Sequence, residues 1–337
     1  MADEHFWQDL GGGLMGHHQI SEELRWAASG ETRIVGFTKP YSGFKKNAGD
    51  TVSMYHVLPM ADVADGSIQE AGEIPMRMMA FGRRDLTLTE HGSATTFTHK
   101  LETLFKFNIP DTMKKGLQQH LAETMDNEAT NLGFLSTDVK IVATPTNLTD
   151  LSFSTTGTAT AVAAAPMTKE HVKKISTYMW DTIHVPFYDR PISKTHQIGN
   201  QGEGGSDHYI CLSSGDNIEN LLLDPDVIRW QQAMRRGEML YRNEACDLHN
   251  VRFVRINRQN AFSDAIDAGG LIGDACFFGD EAIAFVEAEA PSLRLAPDWG
   301  GKGGLVQAML WYGIYTFGPY WNFSDDGRAK MVKWGSL

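Results

Sequence analysis

The sequence predicts an α+β chain, and three observations carry the prediction. A long polar hairpin comes first. Residues 51–59 and 74–80 alternate apolar and polar, with Val52, Met54 and Leu58 on one strand and Ile74, Met76 and Met78 on the other. From Asn108 the period changes to that of one strong amphipathic helix: Met113, Leu117, Leu121, Met125 and Ala129 recur at every fourth position, and Leu132 closes the stripe. The remaining strands and helices follow in mixed order, with no internal repeat and no parallel βαβ series.

Residues 60–73 between the two hairpin strands are rich in turn formers and poor in anything that could make a core. Isolated hairpins are marginal in water, so this one is expected to need a neighbouring subunit. A third strand is expected over residues 85–90, continuing through Gly92 to Thr98. The long helix enters through Asn108, Pro110 and Asp111, a good cap, a tolerated first-turn proline and an acid at the positive helix end. At about 25 residues it would span roughly 35–40 Å, long enough for a structural spine.

Beyond it, residues 139–143 read as a strand, and a Thr/Ala/Ser-rich stretch runs to Pro166. A helix follows from Thr168 with Val172, Ile175, Met179 and Ile183 on one face. Residues 185–206 form a long loop with Pro186, Pro191 and the glycine cluster from Gly199 to Gly205. Strands are expected at 208–212, 251–256 and 281–287, with a helix capped by Asp224 and Pro225 between the first two. The apolar run 305–321 carries Gln307, Tyr312, Tyr315 and Thr316 and is short for a membrane span, so it reads as a strand buried on both faces. Residues 1–32, with the break at Gly11–Gly13 and an apolar Leu24/Trp26 pair, read as an arm.

At 337 residues the chain exceeds the size at which one core usually keeps growing, so two or three lobes are expected. The first residues hold neither a basic region nor an apolar run, so no signal peptide is expected and the chain reads as soluble and cytoplasmic. Cys211, Cys246 and Cys276 are spaced too widely for a zinc or redox motif and read as inert core thiols. The net charge of −12 argues against a nucleic-acid binder, which needs a basic patch to displace counterions. The pairs Lys45/Lys46, Arg83/Arg84, Lys114/Lys115, Lys173/Lys174 and Arg235/Arg236 stand apart among neutral or acidic neighbours and read as solvated or intersubunit surface.

No catalytic constellation is legible, and no catalytic, cofactor-binding or metal-ligating residue is assigned. The glycine cluster lacks the strand and the Lys-Ser/Thr helix entry of a phosphate loop. His17, His18, His184, His196 and His208 lack the spacing of metal ligands. Glu70 and Glu73 lie on a polar hairpin, where they fit Arg or Lys of a neighbouring subunit better than acid–base work. An α+β hydrolase or lyase with a divergent site near His184, His196 and Gly199 to Gly205 is the alternative. It requires a deep pocket joining them to a carboxylate such as Asp207. A fibre or decoration module is a weaker third reading, disfavoured by the long helix.

Two stretches carry a resemblance. One runs from Lys45-Lys-Asn-Ala-Gly-Asp-Thr-Val52 through Gly66 to Pro75, Leu86-Thr-Leu-Thr-Glu-His-Gly92 and the helix to Asp126. The other joins Gly237-Glu238, Val251-Arg-Phe-Val254, Phe278-Gly-Asp-Glu-Ala282 and the aromatic strand between Gly301 and Trp321. Together they resemble the major capsid proteins of tailed bacteriophages of the coliphage N-four type, over most of the chain from about residue 33. The resemblance implies the Hong Kong 97-like phage capsid fold. It implies an N-terminal arm at 1–32, an extended loop at 33–96, a peripheral domain at 97–165 and 305–337 with a spine helix at about 108–134, and an axial domain at 166–304. It further implies a non-enzymatic shell subunit that assembles with itself into hexamers and pentamers of an icosahedral head. Such a head encloses double-stranded DNA without specific binding, with portal and scaffold or cement proteins as further partners and no membrane. The location implied is the virion, after assembly in the host bacterial cytoplasm. The acidic balance suits a container that must not grip its DNA.

Overall fold

The computed structural model describes residues 34–41, 49–57, 79, 81–104, 108–134, 141–156, 165–188, 208–213, 215–227, 244–256, 273–296, 305–320 and 330–336. The expected arm, the hairpin tip and most of the loop at 185–206 lie outside them.

Three sheets carry the architecture. The first is four-stranded: β1 (Lys39–Tyr41), β11 (Ile283–Ala296), β12 (Val306–Pro319) and β4 (Thr89–Thr98), adjacent in that order. The second has seven strands in the order β6 (Leu151–Ser154), β5 (Val142–Pro145), β13 (Met331–Ser336), β10 (Gly273–Phe278), β7 (Tyr209–Ser213), β9 (Val251–Arg255) and β8 (Glu244–Leu248). The third is the hairpin, β2 (Thr51–Val57) with β3 (Phe81–Thr87). Pairing is antiparallel except for β1 with β11, β5 with β13 and β7 with β9. The helices are α1 (His99–Leu104), α2 (Ile109–Glu128), α3 (Lys169–Thr177) and α4 (Gly215–Leu222).

The hairpin starts where the sequence placed it and returns elsewhere. Val52 and Met54 are buried while Tyr55 and Val57 face out, the expected alternation. The return strand is β3 at Phe81–Thr87, paired from Thr51↔Thr87 to Val57↔Phe81, whereas the strand expected at 74–80 lies outside the described residues apart from Met79. The third strand is also corrected, because the run from Asp85 to Thr98 divides at Leu88. Its first part pairs with β2, and its second, β4, pairs with β12. One continuous strand-forming sequence thus serves two sheets, a choice made by its partners and not by propensity.

The spine helix forms as expected. Asn108 caps it, its side-chain oxygen accepting from the Asp111 amide, and Pro110 sits in the first turn. Leu117 is buried, and Met113, Leu121 and Met125 pack against the same apolar cluster as Trp311, Tyr315 and Phe317 of β12. At Ala129 the helix widens into a π-turn through Phe134. Hydrogen bonding from i to i+5 shifts the phase of the stripe, so Gly133 and Phe134 turn inward and Leu132, expected to close the stripe, is exposed. Thr168 and His171 form a reciprocal capping box at the start of α3, and Val172, Ile175, Met179 and Ile183 bury the expected face. The Asp224 carboxylate accepts from the Asp226 amide at 2.9 Å, the expected cap beside Pro225.

The cores follow the sheets. Val172, Ile175 and Met179 pack on one face of the seven-stranded sheet, with Tyr209, Phe253, Phe277 and Trp334. On its other face Ile210, Leu212, Phe278 and Met331 join α2 and β12 in a shared core. Sheet membership crosses the segments named from the sequence: β5, β6 and β13 lie with the strands of 166–304, and β11 lies with β12.

Candidate functional site

The hairpin presents two unlike faces. Its inner face, Val52, Met54 and Leu86, packs on Ala284 and Val286 of β11. Gly318 of β12 lets it approach: a Cβ there would lie 2.4 Å from the Leu86 side chain. Its outer face carries Tyr55 (67% exposed), Val57 (51%) and Phe81 (66%), and Val57 and Phe81 are cross-strand partners. Next to them the Asp85 carboxylate accepts from Arg83 at 2.7 Å and from the Ser53 hydroxyl at 2.6 Å. Those hydrogen bonds, Arg83 foremost, hold the Asp85 carboxyl below its ordinary value. The charges on this face are therefore matched locally, and its unmatched feature is aromatic and aliphatic surface. A second exposed apolar group lies at the far end of the four-stranded sheet, where Leu104, Leu295 and Leu305 stand out beside the Ala296↔Ala308 and Val306↔Thr98 pairs.

A cluster of charge marks the turn where the chain leaves the seven-stranded sheet for the four-stranded one. Lys39 of β1 donates to Glu281 at 2.5 Å, and Lys330 donates to the other Glu281 oxygen at 2.9 Å. Glu281 has a left-handed backbone, φ +54°. The tightest backbone approach is at neighbouring Gly279, where a Cβ would lie 2.0 Å from the Pro186 carbonyl oxygen. No spacing in the sequence announces these groups, which stand 39, 281 and 330 along the chain.

Among the described residues, those considered for chemistry are not brought together. Among the described residues no group of histidine, cysteine and carboxylate side chains could hold a metal ion. His184 is exposed, while His196, Gly199 to Gly205 and Asp207 lie outside the described residues. His208 is buried beside Tyr188. His171, which the sequence left unremarked, is built into the α3 cap and bonded to the Asn147 carbonyl at 2.8 Å; burial pushes its pKa down. All three cysteines are buried, and none of them forms a disulfide. Burial drives the Cys211 thiol well up and that of Cys246 to about 12, away from thiolate chemistry. Among the described residues no helix is long and apolar enough to cross a membrane.

No known protein family's profile matches the chain, and no curated protein matches it in sequence. Solved structures do. The capsid asymmetric unit of cyanophage Pam1 aligns with a TM-score of 0.66 at 13% identity, over 100% of this chain and 99% of that one. The capsid of Ralstonia phage GP4 aligns at 0.64 and 14% identity, over 95% of each chain. The head of Helicobacter pylori bacteriophage KHP40 aligns at 0.63 and 9% identity, over 99% of this chain and 98% of that one. The fold is thus the α+β, Hong Kong 97-like fold of phage capsid proteins, matched end to end. A hydrolase or lyase finds no support in these likenesses, and that alternative is withdrawn.

Proposed function

We propose that this chain is a major capsid protein, a non-enzymatic subunit that assembles with copies of itself into the hexamers and pentamers of an icosahedral phage head. The observation that carries the reading is the end-to-end match to the solved chains of phage capsids and heads. The outward apolar face of the hairpin supports it, since Tyr55, Val57 and Phe81 are exposed. On this reading the four-stranded sheet and α2 form the peripheral part, the seven-stranded sheet forms the axial part, residues 1–32 serve as the arm, and the hairpin is the extended loop. Double-stranded DNA is enclosed without specific binding, consistent with the charge of −12. Portal and scaffold or cement proteins complete the head, which forms in the bacterial cytoplasm. The finer affinity is to the coliphage N-four type, supported by the motif order between Lys45 and Asp126 and between Gly237 and Trp321.

The test is negative-stain electron microscopy of the protein expressed alone and with its phage's scaffold, paired with light scattering on the same samples. Shells, tubes or capsomer rings are expected. A compact monomer under every assembly condition, with Tyr55, Val57 and Phe81 covered by its own chain, overturns the reading.

A further inference from the structure

The strand that leads into the hairpin is held by very little backbone. β1 is three residues long, runs parallel at the edge of its sheet and contacts β11 through Lys39↔Ala284, Pro40↔Phe285 and Tyr41↔Val286. Its middle residue is a proline with no amide to donate. A strand this short and edge-bound is a candidate for local opening.

Both flanks are tied down independently. Upstream, the Val35 amide donates to the buried Asp126 carboxylate at 3.2 Å, and the Thr38 hydroxyl donates to the Val35 carbonyl at 2.8 Å. Downstream, the base of the hairpin is packed on β11. Between those anchors the fastening is the packing of half-buried Tyr41 on the hairpin cluster and an ionic contact at Lys39. Glu281 takes Lys330 on one carboxylate oxygen and Lys39 on the other, with Asp280 3.6 Å from Lys39 as a second acceptor. The two arms are unequal. The Lys330 side chain is 11% exposed and lies over the Tyr320 ring, whereas that of Lys39 is 45% exposed. A half-exposed pair is worth little and is easily released, while a mostly buried one stays fixed. Lys330 therefore holds Glu281 in place, and Lys39 is the arm that comes and goes.

We infer that Lys39, Glu281 and Lys330 form a charge-operated latch: loss of the Glu281 charge frees β1, the root of the hairpin, while both sheets stay folded. Among the described residues, the groups facing Glu281 are Lys39, Lys330, Asp280 and Tyr320, with Tyr41 beside the last. Burial alone pushes the Glu281 carboxyl up, but the hydrogen bonds from Lys39 and Lys330 outweigh it and leave it below its ordinary value. The Glu281 hydrogen bond holds Lys39 above its own. A carboxyl so depressed contributes fully above the ordinary carboxylate range and loses its contribution as pH falls through the folded value, so the latch opens on the acid side. Burial lowers the pKa of Lys330 and raises that of Tyr320, which keeps both out of that window.

The inference concerns the subunit itself and stands apart from shell assembly. The test is hydrogen exchange, read by mass spectrometry and corrected for intrinsic rates, on the full-length protein as purified, comparing wild type with Glu281→Gln and Lys39→Gln. At neutral pH both variants should exchange the Lys39 and Tyr41 amides about two- to fivefold faster than wild type, with β7, β10 and β12 unchanged. Wild type should gain the same rate as pH falls below the ordinary carboxylate range, and Glu281→Gln should gain nothing further there. If Glu281→Gln loosens the sheets as well, Lys39→Gln decides, because it removes only the half-exposed arm. Unchanged β1 exchange in Lys39→Gln, or a wild-type acid response that persists undiminished in Glu281→Gln, overturns the latch.

Discussion

The Asp126 carboxylate and the Val35 amide lie 91 residues apart in sequence and are hydrogen-bonded at 3.2 Å, with Asp126 only 1% exposed. A buried acid on a helix is costly unless its oxygens are paired. Its placement is explained by what it holds: the turn at Ile34–Phe37, which the spine helix thereby ties down. Asp126→Ala should cost about 1–3 kcal/mol, the penalty for leaving a buried amide without its acceptor. Asp126→Asn keeps an oxygen in place and should cost less. Denaturant melts of the two variants check the order, and an Asn variant as weak as the Ala variant would contradict it.

The three core thiols should be silent in the folded protein. Cys211 of β7 and Cys276 of β10 sit on adjacent strands, with Phe277 and Leu212 as their respective cross-strand partners, and every cysteine is buried. Burial raises the Cys211 and Cys246 thiols, so at pH 8 almost none is thiolate. A colorimetric thiol reagent should find no reactive group in native protein and all three after denaturation. Rapid labelling of one thiol without unfolding would show a core looser than this packing.

The ion pair at the edge of the seven-stranded sheet should behave as a buried one. Arg252 donates to Glu244 at 2.7 Å, and their side chains are 9% and 1% exposed. Asp247, directly across the strand pair from Arg252, has its carboxyl pushed up by burial, against the pull of the arginine. Arg252→Met strands a buried carboxylate and should cost about 3–5 kcal/mol, whereas Glu244→Leu combined with Arg252→Met should recover much of that. Thermal melts of the single and double variants read the difference directly. A double variant no better than the single would mean that Asp247, not Glu244, carries the arginine.

Sequence reasoning found what periodicity encodes and missed what partners decide. The spine helix, its Asn108 cap, the α3 face from Val172 to Ile183 and the alternation at Val52 and Met54 are local patterns, and each appears in the structure. Leu132 was misplaced because a π-turn breaks the helical phase, and no residue type signals one. The split at Leu88 was invisible because both halves of 85–98 are good strand sequence and only pairing with β2 or β12 separates them. The Lys39–Glu281–Lys330 cluster joins three distant points of the chain, which a single sequence gives no means of connecting.

The division between core helix and outward hairpin gives the sharpest test. Leu117 is 6% exposed and central to the shared core, so Leu117→Asp buries an unpaired charge and should prevent folding. Leu121 is half-buried in the same stripe, and Leu121→Asp should destabilise less because its carboxylate can reach water. Phe81→Asp and Tyr55→Asp alter only the outer face of the hairpin and should leave the melting temperature within a few degrees of wild type, as surface changes usually do. Changes between Asp65 and Glu70, beyond the paired strands, should act the same way. These hairpin variants should instead reduce particle yield, since the apolar face they charge is what a neighbouring subunit would cover. Circular dichroism melts and particle counts by electron microscopy separate the two effects. Equal loss of folding in the Leu117 and Phe81 variants would place the hairpin in the subunit's own core and remove its intersubunit role; full particle yield from folded Phe81→Asp and Tyr55→Asp would remove that role as well.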